Sequence, residues 1–121
     1  LYDELNRIEP GRNYGWPEVE GNGGDGDRFV DPVATWATDD ASPSGIAVVG
    51  DRVWVACLRG KRLYRLDTDG SDARSLLVDD YGRLRHVARA PDGSMWVLTS
   101  NHDGRGSPAP TDDRILRLSA L

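Results

Sequence analysis

Apolar positions in this chain come in short runs, each closed by Gly, Pro, Asp or Ser, and no run keeps the period of a helix. The pattern predicts strands over residues 1–8, Val33 to Thr38, Ile46 to Val49, Arg52 to Ala56, Arg62 to Asp67 and Ser75 to Val78. Further strands are expected over Leu84 to Ala90, Ser94 to Ser100 and Arg114 to Ser119. Turns fall at Ser42-Pro43-Ser44-Gly45, at Asp67-Thr68-Asp69-Gly70 and at Pro91-Asp92-Gly93. Gly50-Asp51 joins two runs as a hairpin pair compatible with a type I′ turn. The chain reads as all-β.

The same pattern repeats. Leu5-Asn6-Arg7-Ile8, Leu63-Tyr64-Arg65-Leu66 and Ile115-Leu116-Arg117-Leu118 share one form, and the second and third follow Val53-Trp54-Val55 and Met95-Trp96-Val97. The two tryptophans lie about forty residues apart, the period of a propeller blade. Apolar residues on both faces of Val53-Trp54-Val55 and Met95-Trp96-Val97 suit middle strands sandwiched between neighbouring blades. The repeated arginines are expected to pair on the surface. The expected fold is a β-propeller; a closed ring needs roughly four to eight blades, and this chain holds about two and a half. It opens at the third strand of a repeat whose first half lies outside it.

Composition narrows the functional classes. The hydrophobic fraction of 38%, with four Trp and four Tyr, suffices for a packed sheet core. A net charge of −5 disfavours nucleic acid as partner. No run approaches the roughly eighteen apolar residues of a transmembrane helix, and no secretory leader is legible. Cys57 is the single cysteine; it has no activating neighbour in sequence and reads as a buried strand residue.

Between Pro10 and Asp31 runs a loop rich in Gly, Asn and Asp. Its Asn13-Tyr14-Gly15-Trp16-Pro17 string reads as structural, with Trp16 plugging against the sheet, and its aspartates read as turn formers. Those aspartates lack the spacing of a calcium loop. More suggestive is Gly82-Arg83-Leu84-Arg85, where two cations at alternate positions entering a strand share a face. Such a pair makes an anion site, or else two solvated arginines.

Five strings occur in order: "DELNRIEPGRNYGWP", "SPSGIAV", "CLRGKRLYRL", "YGRLRHVARAPDGSMWVLTSN" and "DDRILRL". Together they resemble the soluble pyrroloquinoline-quinone (PQQ)-dependent glucose/sorbosone dehydrogenases, the aldose sugar dehydrogenases. The resemblance implies a six-bladed propeller that binds PQQ and Ca²⁺ at the mouth of its channel, with residues 1–121 as the C-terminal part of that single propeller domain. It implies oxidation of an aldose at the anomeric carbon to a lactone, with electrons passed to an external acceptor, and a secreted, periplasmic or cell-surface location.

On that resemblance Arg83 and Arg85 match the family's PQQ-carboxylate pair. A further PQQ contact falls on Arg59 when "CLRGKRLYRL" is aligned on Leu58, or on Lys61 if shifted by two; a solvated loop charge is the alternative. Asp3 and Glu4 match the family's "DE", whose calcium ligands are backbone carbonyls just upstream, so no metal ligand is assigned here. The family's catalytic histidine lies in its N-terminal half. His86 is expected to point away from the arginine face and His102 to line only the rim, so no catalytic residue is assigned and the chain alone is expected to be inactive. The competing reading is a non-enzymatic propeller that binds carbohydrate or protein. Exposed blade edges would also permit self-association.

Overall fold

The structure, a computed structural model, describes residues 1–119. Among them nine strands form three antiparallel sheets. The first sheet pairs β1 (Tyr2–Leu5) with β2 (Ala34–Ala37). The second runs in the order β3 (Pro43–Val49), β4 (Arg52–Cys57), β5 (Arg62–Asp67) and β6 (Arg74–Leu76). The third joins β7 (Leu84–Arg89), β8 (Met95–Thr99) and β9 (Ile115–Leu118). The expected all-β, bladed architecture is present: one four-stranded blade lies between two partial ones.

Alternation along β4 and β5 explains the stacking. Val53, Val55, Cys57, Tyr64 and Leu66 pack toward the first sheet with Leu5 and Ala41. There Trp36 stacks on Tyr64 with ring centroids 5.0 Å apart. Trp54, Ala56 and Leu63 face the other way, onto Leu84, Val87, Met95 and Val97 of the third sheet. Burying each large aliphatic side chain contributes about 1.5–3 kcal/mol, and a blade with two neighbours collects this on both faces.

Several boundaries differ from the pattern. The first strand stops at Leu5 because its partner, β2, begins at Ala34 opposite it; beyond that Ile8 is exposed. Arg7 therefore sits outside a strand, whereas Arg65 meets Asp72 at 3.6 Å and Arg117 meets Asp92 at 2.5 Å. Residues 43–45, expected as a turn, are instead the start of β3, which accommodates Ser44 as an extra residue between Pro43 and Gly45. The Gly50-Asp51 hairpin has positive φ only at Gly50, the sign pattern of a II′ turn and not I′. The outer strand β6 ends early, at Leu76, because Leu77 turns to φ 55°.

Trp54 is 4% exposed but Trp96 is 42% exposed, since no sheet covers that face of β8 among the described residues. The long loop also departs from expectation. Trp16 is exposed, and Phe29 is the loop's buried aromatic. The loop is tied by its aspartates: Asp31 accepts from the N–H groups of Gly23 and Gly24, and Asp25 from those of Arg28 and Phe29.

Candidate functional site

One end of the sheets gathers the charged groups. Asp3 lies near the start of β1, Thr38 follows β2, Ser42 precedes β3, Arg59 follows β4 and Arg83 precedes β7. In antiparallel sheets these positions fall at the same edge, and with Arg105 they line one cleft of about 410 Å³. A second cleft of about 350 Å³ adjoins it, sharing Arg83 and Arg105 and adding Lys61, Tyr81, Asn101 and Asp112 among others.

The innermost strands β3 and β7 approach closely because of Gly45: a Cβ there would meet Nδ1 of His86 at 2.6 Å and the carbonyl of Arg85 at 3.0 Å. Both strands carry a bulge at the same place, Ser44 in β3 and Arg85 in β7. The bulges touch, with Ser44 Oγ donating to the Arg85 carbonyl at 2.7 Å. The residues just ahead of the bulges, Ser42 and Arg83, occupy equivalent places and both face the cleft. Asp3 accepts from the backbone N–H of Ser42 at 2.8 Å.

Arg83 is the most enclosed cation, its side chain 11% exposed. Its Nε donates to Asp103 Oδ2 at 2.8 Å, and its two Nη groups make no hydrogen bond among the described residues. Its backbone N–H donates to Asn101 Oδ1 at 2.9 Å. Asn101 is 3% exposed and also donates to the Tyr81 carbonyl and to Asp112 Oδ2. Asp103 is held below its usual carboxylate range chiefly by the N–H of Arg105, then by Arg83. Asp113 is lowered likewise, chiefly by the N–H of Asn101.

The expected cofactor residues therefore separate. Arg59 and Arg83 share the larger cleft, Arg59 also pairing with Asp39 at 2.8 Å. Arg85 is exposed and lines neither cleft, because the bulge at Arg85 breaks the two-residue alternation. Lys61 lines the second cleft. His86 and His102 line neither; His102 Nε2 sits 3.2 Å from the Asp112 carbonyl. Cys57 is buried, and desolvation pushes its thiol up to about 12, too high for a nucleophile near neutrality. Among the described residues no group of three or more His, Cys, Asp or Glu side chains gathers to hold a metal.

Sequence reading missed Arg105, Asp103 and Asn101, which lie in a polar insert without periodicity. The one signal was the Asp-Gly-Arg-Gly string at 103–106, a turn with a cation at its tip.

The profile of the family "Glucose / Sorbosone dehydrogenase" matches residues 2–117. The chain is 55% identical, with a TM-score of 0.88, to a PQQ-bound aldose sugar dehydrogenase of Streptomyces coelicolor, covering 97% of this chain and 36% of that one. A putative oxidoreductase (glucose dehydrogenase) of Thermus thermophilus is 43% identical, TM-score 0.86, over 98% of this chain and 37% of that one. An aldose sugar dehydrogenase of Escherichia coli K12 is 28% identical over 84% of this chain and 33% of its own length. The chain thus spans about a third of the length of these relatives. It is a fragment of a β-propeller and belongs to the glucose/sorbosone dehydrogenase family.

Proposed function

We propose that this chain supplies the cationic wall of a PQQ site in a dehydrogenase that oxidises aldose sugars at the anomeric carbon to lactones. The observation that carries it is the convergence of Arg59 and Arg83 on one cleft, at the end of the sheets where β3 and β7 meet. PQQ bears three carboxylates, and burying a carboxylate without a partner costs several kcal/mol. The residues fit that chemistry. Arg83 is nearly buried, held at Nε by Asp103, and keeps both Nη groups for a ligand. Arg59 stands across the cleft at the end of β4. Arg85, exposed at the bulge of the innermost strand, is the third proposed contact.

When bound, PQQ supplies the quinone that takes the electron pair from the sugar, before an external acceptor receives it. The residues of this chain bind and orient; none holds a proton for the reaction. Calcium finds no side-chain ligand set among the described residues, and the resemblance assigns it to backbone carbonyls. Secretion to the periplasm or cell surface belongs to the same reading.

Titrating the intact protein with PQQ, with and without calcium, and following tryptophan fluorescence tests it. Saturable quenching is expected. Arg83→Ala should weaken it at least about tenfold, since a hydrogen bond to a charged group contributes roughly 1.5–3 kcal/mol. Arg85→Ala should weaken it less. Unchanged affinity in Arg83→Ala, at an unchanged melting temperature, would overturn the assignment, as would a wild type that does not bind.

A further inference from the structure

The loop from Asn101 to Asp113 carries a third cation to the cleft. Arg105 lines both the larger cleft and its neighbour, each time beside Arg83. The other two arginines are already matched to carboxylates: Arg59 to Asp39 and Arg83 to Asp103, both at 2.8 Å. Arg105 makes no ion pair among the described residues. A guanidinium whose charge is offset by an adjacent carboxylate attracts an incoming anion less strongly than an unmatched one. Arg105 is thus the strongest unmatched attraction the larger cleft offers.

Its position is also set, through Asp103. One oxygen of that carboxylate accepts from Arg83 Nε. The other accepts from the backbone N–H groups of Arg105 and Gly106, at 2.9 and 3.1 Å. A single side chain therefore holds the guanidinium of Arg83 and the backbone that bears Arg105. Gly106 keeps the loop close: a Cβ there would meet the Asn101 carbonyl oxygen at 2.6 Å. Asn101 in turn anchors the start of β7 through the Arg83 N–H. Loop, strand and both cations form one hydrogen-bonded unit.

We infer that Arg105 is an anion-binding side chain of this cleft that takes a carboxylate of the ligand, and that Asp103 is a positioning residue fixing the spacing of Arg105 and Arg83. The inference rests on the reading of the cleft as a PQQ site and extends it to Arg105, which has no part in that reading, and to the hold of Asp103 on the backbone of Arg105.

The test is a PQQ titration of the intact protein as wild type, Arg105→Ala, Arg105→Lys, Asp103→Asn and the double variant Asp103→Asn/Arg105→Ala. Dissociation constants and their salt dependence are read from tryptophan quenching, with melting temperatures measured alongside. Arg105→Ala should weaken binding about tenfold and flatten the salt dependence, as expected for a lost charge-assisted contact. Arg105→Lys should recover part of the loss, because the charge remains while the planar fork does not. Asp103→Asn removes the charge that offsets Arg83 but also frees both arginines from their anchor. With positioning dominant, as inferred, it weakens binding, and the double variant loses less than the product of the two single effects, because Asp103 acts through the arginines. A wild type that binds while Arg105→Ala binds equally well overturns this inference and leaves the PQQ reading standing. Effects of Asp103→Asn and Arg105→Ala that simply multiply overturn the positioning role. A wild type that does not bind PQQ overturns the reading beneath both.

Discussion

Gly82 shows how much one residue settles at the cleft. It sits at φ +72°, and a Cβ there would collide with the side-chain oxygen of Asn101 that receives the Arg83 N–H. Only glycine allows that turn and that approach together. Cys57 illustrates the opposite case, a reactive side chain made inert. It is fully buried on β4, with burial the main cause of its raised pKa and Asp3 adding to it. Because the folded value lies above the ordinary 9.0, the neutral thiol favours the fold. That stability is fully present below pH 9.0 and is lost as pH rises toward about 12. In the native protein the thiol should resist alkylation at pH 8 and react only on unfolding; rapid labelling of the folded state would contradict its placement.

At the scale of elements, the strands were legible because apolar runs, turn residues and the Trp-centred repeat all have local causes. The four-stranded blade came out nearly as the pattern has it. The bulges did not. The two-residue rule places Arg83 and Arg85 together, and the extra residue in β7 separates them, a consequence of how β3 and β7 meet. Arg59 came only from the resemblance, through the alignment on Leu58, and it lines the cleft after β4. Arg105 was not, because its place depends on hydrogen bonds from Asp103 to residues distant in sequence, which no periodicity records. The blade's double-sided core makes a separate claim: Leu63, fully buried between the second and third sheets, should be intolerant of truncation. Leu63→Ala is expected to destabilise by about 2–5 kcal/mol, read as a lowered melting temperature. A shift within error would mean that the sheets do not pack as described.

For the whole molecule, two faces are left open in a way that suits a ring. Trp96 repeats the position of Trp54 yet is uncovered, and Ile46 and Val48 line an apolar groove of about 250 Å³ with Leu5, Val33 and Val53. In a propeller such open apolar faces are where neighbouring blades pack. The chain's share of about a third of its relatives' length agrees with that arrangement. No helix among the described residues is long and apolar enough to cross a membrane.

In the proposed site the arginine cleft holds PQQ through its carboxylates. The most direct measurement is a crystal structure of the intact protein soaked with PQQ. Density is expected in the cleft between Arg59, Arg83 and Arg105, with ligand carboxylates at hydrogen-bond distance from Arg83 Nη atoms. PQQ bound elsewhere, with Arg83 turned wholly to Asp103, would contradict it.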